Sequence, residues 1–123
     1  MSYQIYDEAS SSITPFVPVR AGEVSIYECG MTVYAPPHLG HIRKEVVFDV
    51  LRRWLTASGY KVRVVCNITD INEKILSNAE AAGVSWFEVA YAVEKELAGV
   101  NKALGCLPLT YEPRASGHIP EMI

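Results

Sequence analysis

The sequence predicts an α/β chain in which a parallel strand–helix–strand unit is followed by two more helices. Three observations carry this. Runs rich in strand formers at residues 24–29 and 60–68 flank a segment whose apolar residues recur every three or four positions. Strand, helix and strand succeed one another within about fifty residues, a spacing that calls for a crossover between parallel strands. Gly59, Gly83 and Gly105 stand where the helices would stop.

Residues 1–22 read as an N-terminal lead, a loose hairpin with an apolar stub at Tyr3–Tyr6 and a polar turn at Ser10-Ser11-Ser12. Phe16 and Val17 lie between prolines, and Gly22 ends the lead. Val24 to Cys29 is the first strand of the parallel unit. Gly30 and the loop Thr32 to Pro37 follow, and the paired prolines disfavour helix before them. From Leu39 the period changes. Leu39, Ile42, Val46, Val47, Val50, Leu51, Trp54 and Leu55 mark one buried helix face, with Arg43, Lys44, Asp49, Arg52 and Arg53 mostly opposite. Tyr60 to Ile68 is the second strand. Helices are expected over 71–82 and 85–104, the latter opened by a Ser85–Glu88 capping box, and Asp70 is either a cap of the former or a pocket residue, spacing favouring the cap. A proline-containing loop leads to Ser116, the candidate cap of a last helix. Parallel sheets are normally covered on both faces and hold more than two strands. Residues 23–123 therefore read as the truncated first half of a Rossmann-like nucleotide-binding fold.

Composition narrows the function classes. Half of the 123 residues are hydrophobic and a fifth charged, which excludes disorder. No apolar run approaches the ~18 residues of a membrane span. Met1 to Tyr6 lack the basic start and apolar block of an export signal, so a cytoplasmic location is expected. The net charge of −3 excludes a chain built mainly to grip phosphate backbones. Cys29, Cys66 and Cys106 are odd in number and widely spaced, which is no disulfide framework.

The strongest local signal is Pro37-His38-Leu39-Gly40-His41, where a loop opens the amphipathic helix. A helix start already favours an anion through its unpaired N–H groups and dipole. Imidazoles three residues apart add donors there, and Gly40 lets a flat ring or phosphate approach the backbone. Spacing alone leaves this even with a reading as loop-surface histidines; the position at a helix start favours a phosphate site. Cys29, taken alone at a strand end, reads as a small buried hydrophobe rather than a metal ligand. Cys66 reads as core, Cys106 as helix-end packing, Trp54 and Trp86 as core, and Arg52-Arg53 as a solvated face.

His38-Leu39-Gly40-His41 resembles the H-I-G-H signature of class I aminoacyl-tRNA synthetases. With Cys29-Gly30-Met31-Thr32-Val33-Tyr34, Asn67-Ile68-Thr69-Asp70-Ile71 and Glu112-Pro113-Arg114-Ala115, the chain resembles the N-terminal part of the cysteinyl-tRNA synthetase family over essentially its whole length. The resemblance implies ATP, with Mg²⁺, and cysteine as reactants, tRNA as acceptor, and Zn²⁺ as the ion that binds the substrate thiolate. His38 and His41 would be catalytic and, with Gly40, bind ATP. Thr32 and Thr69 would face the amino acid, and Cys29 would be the first zinc ligand. The family's other ligands, its K-M-S-K-S-type loop and its tRNA-binding region match nothing up to Ile123, so a fragment inactive by itself is expected. Met31, Ala35, Lys44-Glu45 and Asn72-Glu73 depart from the family pattern. Two other readings stand beside it. One is the related ligase that joins cysteine to a glucosaminyl-inositol in mycothiol synthesis. The other is a non-catalytic module that binds a nucleotide or a partner.

Overall fold

A computed structural model describes residues 3–123; Met1 and Ser2, the first residues of the lead, lie outside it. The lead is the expected hairpin. β1 (Gln4–Asp7) pairs antiparallel with β2 (Ser12–Pro15). The Asp7 carboxylate accepts the N–H groups of Ala9 and Ser10 and so shapes the turn. Aromatic rings seat the hairpin on the rest of the chain: Tyr3 lies 5.7 Å from Phe16 and 4.4 Å from Trp54, and Phe16 lies 6.0 Å from Tyr60.

β3 (Glu23–Glu28), α1 (Leu39–Ala57) and β4 (Lys61–Cys66) form the parallel unit, with Val24 opposite Val62 and Glu28 opposite Cys66. Strand side chains alternate. Val24 and Glu28 are buried together with Val64 and Cys66, while Ser25, Tyr27 and Arg63 are exposed. α2 (Glu73–Ala82) and α3 (Trp86–Ala103) follow, each opened by a polar cap: Asn72 accepts the Lys74 N–H, and Ser85 with Glu88 forms the expected capping box. The main core lies past the strand ends. Met31, Val33 and Ile68 pack there with Ile75, Ala90, Val93 and Leu97 of α2 and α3. That packing fixes the two loops that leave β3 and β4.

Residues 110–115 run parallel beside β4, with bridges Val65–Tyr111 and Ile68–Arg114. The prolines made this segment read as a loop. Pro113 cannot donate, but its carbonyl accepts the Ile68 N–H at 2.8 Å, so it suits an edge track. A 3-10 turn (Ser116–His118) and α4 (Ile119–Met122) end the chain.

Several expectations are corrected. Of the apolar stripe of α1 only Leu55 is fully buried, whereas Leu39, Val46, Val47 and Val50 are exposed. Among the described elements β4 and part of α3 pack most closely on that helix, and the face bearing Val46, Val47 and Val50 stays open. Trp54 is accordingly a half-covered lid on Tyr3, and Trp86 packs at the rim of the core. Asp70 does not cap α2. It is buried and holds the backbone N–H and hydroxyl of Ser116, tying the last segment to the end of β4. Arg52 and Arg53 are not merely solvated: they donate to the Pro108 and Gly105 carbonyls and pin the loop after α3.

Candidate active site at the start of α1

The first turn of α1 is capped by its own histidines. His38, at the N-cap, accepts the Gly40 N–H on Nδ1 at 3.1 Å, and His41 Nδ1 accepts the His38 N–H at 3.3 Å. The rings stack with centroids 3.8 Å apart. A nitrogen that accepts from a backbone N–H carries no proton, so each neutral ring keeps its proton on Nε2. Two N–H donors thus stand at the positive end of a 19-residue helix. Burial first, and then the neighbouring His38, hold His41 below the usual imidazole value. A Cβ on Gly40 would come within 2.9 Å of the His38 ring, so a larger residue would push that ring aside.

Cys29, Gly30, Met31 and Thr32 share an open hollow of about 220 Å³ with Tyr34, His41, Lys44 and Glu45. Cys29 is exposed there. His38, Gly40 and Thr69 do not line it. Thr69 bridges in parallel to Thr32, its N–H donating to Met31 and its carbonyl accepting from Val33, while its hydroxyl oxygen lies 3.2 Å from Asn67 Nδ2. Gly30 is where the two strand ends come closest. Its N–H donates to Asn67 Oδ1, and a Cβ would lie 1.3 Å from the Asn67 carbonyl oxygen, so no other residue fits.

Lys44, Glu45 and Asn67 are part of this architecture and went unassigned in the sequence. The signal for Lys44 was its place three residues after His41, on a neighbouring helix position. Beneath the hollow, Lys44 Nζ lies 2.9 Å from Glu45, 3.3 Å from Glu28 and 3.6 Å from Cys66 Sγ. Burial raises Glu28 above the ordinary carboxylate range and pushes the Cys66 thiol up to about 12. Burial works against the charge on Lys44, but the Glu45 hydrogen bond and the surrounding acidic groups outweigh it and the ammonium persists. Among the described residues, Glu28, Glu45 and Cys66 are the only three candidate metal donors that converge, and the ammonium already sits among them. That is no zinc centre. Cys29 offers a single sulfur, and a tetrahedral zinc site needs donors that the described residues do not bring to it.

The fold is that of an aminoacyl-tRNA synthetase. Over 76% of the chain it superposes with a TM-score of 0.71 on 18% of Mycobacterium tuberculosis methionyl-tRNA synthetase in complex with methionyl-adenylate, at 21% identity. Residues 15–123 match the family described as tRNA synthetases class I (C) catalytic domain, and the chain belongs to that family. It is 62% identical over 123 residues to the cysteine–tRNA ligase of Cutibacterium acnes, which covers 100% of this chain and 25% of that protein. Identity is 52% over 119 residues to the Bifidobacterium longum enzyme of the same name, covering 97% of this chain and 22% of that one. The Streptomyces griseus counterpart is 49% identical over 123 residues, or 100% and 26%. The chain spans about a quarter of the length of the curated relatives it matches.

Proposed function

We propose that the chain is the opening part of the catalytic domain of a cysteine–tRNA ligase, which activates cysteine with ATP and passes it to tRNA. Residues 1–22 are the lead and 23–123 the partial catalytic domain. The observation that carries the reading is the reciprocal histidine cap of α1 beside the hollow that Cys29 lines. The name shared by the three bacterial relatives favours it over the mycothiol ligase. No described helix is long and apolar enough to cross a membrane. A cytoplasmic setting belongs with the reading.

In this reading a carboxylate oxygen of cysteine bonds to the α-phosphorus of ATP, and the bond to the bridging oxygen breaks. Pyrophosphate leaves with that electron pair. No protein nucleophile is needed, so the residues act by positioning and by stabilising charge. The Nε2–H groups of His38 and His41 donate to the phosphates as negative charge builds, about 1.5–3 kcal/mol for each charge-assisted bond. Gly40, by lacking a Cβ, lets the His38 ring close over the first turn where ATP binds, and Mg²⁺ travels with the triphosphate. Thr32 faces the amino acid from the hollow, and Thr69, which lies outside it, backs Thr32 through their parallel bridge. Cys29 would give one sulfur to a zinc ion, with its other donors coming from groups beyond these residues. When bound, zinc selects a thiolate over a hydroxyl.

Calorimetric titration of ATP into the chain tests the reading. Saturable binding is expected, weakened about tenfold in His41→Asn, a change worth ~1.4 kcal/mol. The amide retains an acceptor for the cap. Equal affinity in the variant would remove the triphosphate from the histidine pair.

A further inference from the structure

Lys44 lines the hollow together with Cys29 and His41. Its Nζ donates to the Cys29 carbonyl oxygen at 3.1 Å, besides its contacts with Glu45, Glu28 and Cys66. An ammonium has three N–H donors and here faces four acceptors. Glu28 Oε2 is buried, 3.3 Å from the nitrogen, and without an aligned hydrogen bond.

The Cys29–Gly30 peptide is consequently gripped at both ends. Its carbonyl accepts from Lys44 of α1, and its N–H donates to Asn67 just past β4. On the Asn67 side the approach is closed, since even a methyl on Gly30 would overlap the Asn67 carbonyl. The Lys44 side has no such backbone contact to hold it, and the lysine supplies the tie. Lys44 belongs to the same stretch of α1 as His41, so one side chain sets the distance between the imidazole and the peptide that carries the exposed thiol.

We infer that Lys44 is a positioning residue, which holds the Cys29–Gly30 peptide against the first turns of α1 and so fixes the thiol relative to the histidine pair. The carboxylates of Glu45 and Glu28, 2.9 and 3.3 Å from its nitrogen, flank the ammonium. Its bearing on ligation rests on the function proposed above. The placement itself does not, and is tested without ATP or amino acid.

Removing the lysine alone would leave Glu28 and Glu45 facing one another, so the informative variant is Lys44→Met combined with Glu45→Gln, which conserves the charge balance. Amide hydrogen exchange is followed by NMR on the unliganded chain. The Gly30 amide is expected to exchange at least tenfold faster in the double variant, while Val93 and Leu97 in α3 keep their wild-type rates. Unchanged exchange at Gly30 would overturn the inference. Uniform acceleration, or loss of the fold, would also overturn it, because the lysine would then support general stability rather than the placement of one peptide.

Discussion

Each ring of the His38–His41 pair accepts a backbone N–H on an unprotonated Nδ1, so protonating either one breaks half of the cap. This gives the site a pH dependence with a definite sign. Burial, and then His38, keep His41 below its ordinary value, so the unfolded chain takes up that proton at higher pH than the folded one. The contribution is whole above the free histidine value of ~6.5 and is lost as pH falls through the folded value. Between pH 7.5 and pH 5 the urea midpoint of the wild type is expected to fall further than that of His41→Asn, whose amide accepts without titrating. Parallel curves would show that the rings do not act as caps. The histidine pair was legible from its place at a helix start, whereas Cys29, which its strand-end place marks as a buried hydrophobe, is exposed and stood out only through the family resemblance. The ring pairing was not, because spacing says which side chains are neighbours but not which nitrogen faces which N–H.

Among the elements, α3 illustrates how much a local rule can carry. Ser85 and Glu88 satisfy each other and the helix start: Glu88 Oε2 accepts the Ser85 N–H at 2.9 Å and bonds the Ser85 hydroxyl. Ser85→Ala is expected to cost about 1 kcal/mol in chemical denaturation. A loss below a few tenths would mean that packing of Ala90, Val93 and Leu97 holds the helix without its cap. The same kind of rule placed Gly83 at the left-handed end of α2, where φ is 67°. It failed for residues 110–115. Their ladder to β4 is made by the N–H groups of Thr110, Tyr111 and Ala115 and the carbonyls of Tyr111 and Pro113, so the proline sits where only its acceptor is needed, and no period in the sequence marks that. It failed too for Asp70, which holds Ser116, 46 residues away, rather than the helix next to it.

At the scale of the whole chain, the sheet and α1 each show a face that the described residues leave uncovered. Tyr27 on the sheet is 67% exposed and Val50 on the helix 59%. Val50→Lys is therefore expected to change stability by less than ~0.5 kcal/mol, while lowering the fluorescence of a hydrophobic dye bound to the chain. A large loss of stability would place Val50 in a packed interior. The residue pattern thus declared which segments are strands and helices and where they stop, because period, caps and turn residues act between near neighbours in the chain. It misjudged which apolar face is covered and said nothing of the Lys44 cluster or the Asn67 contact with Gly30. Those depend on the meeting of strand ends and a helix turn that lie 15 to 37 residues apart, and such distances are set by packing in three dimensions.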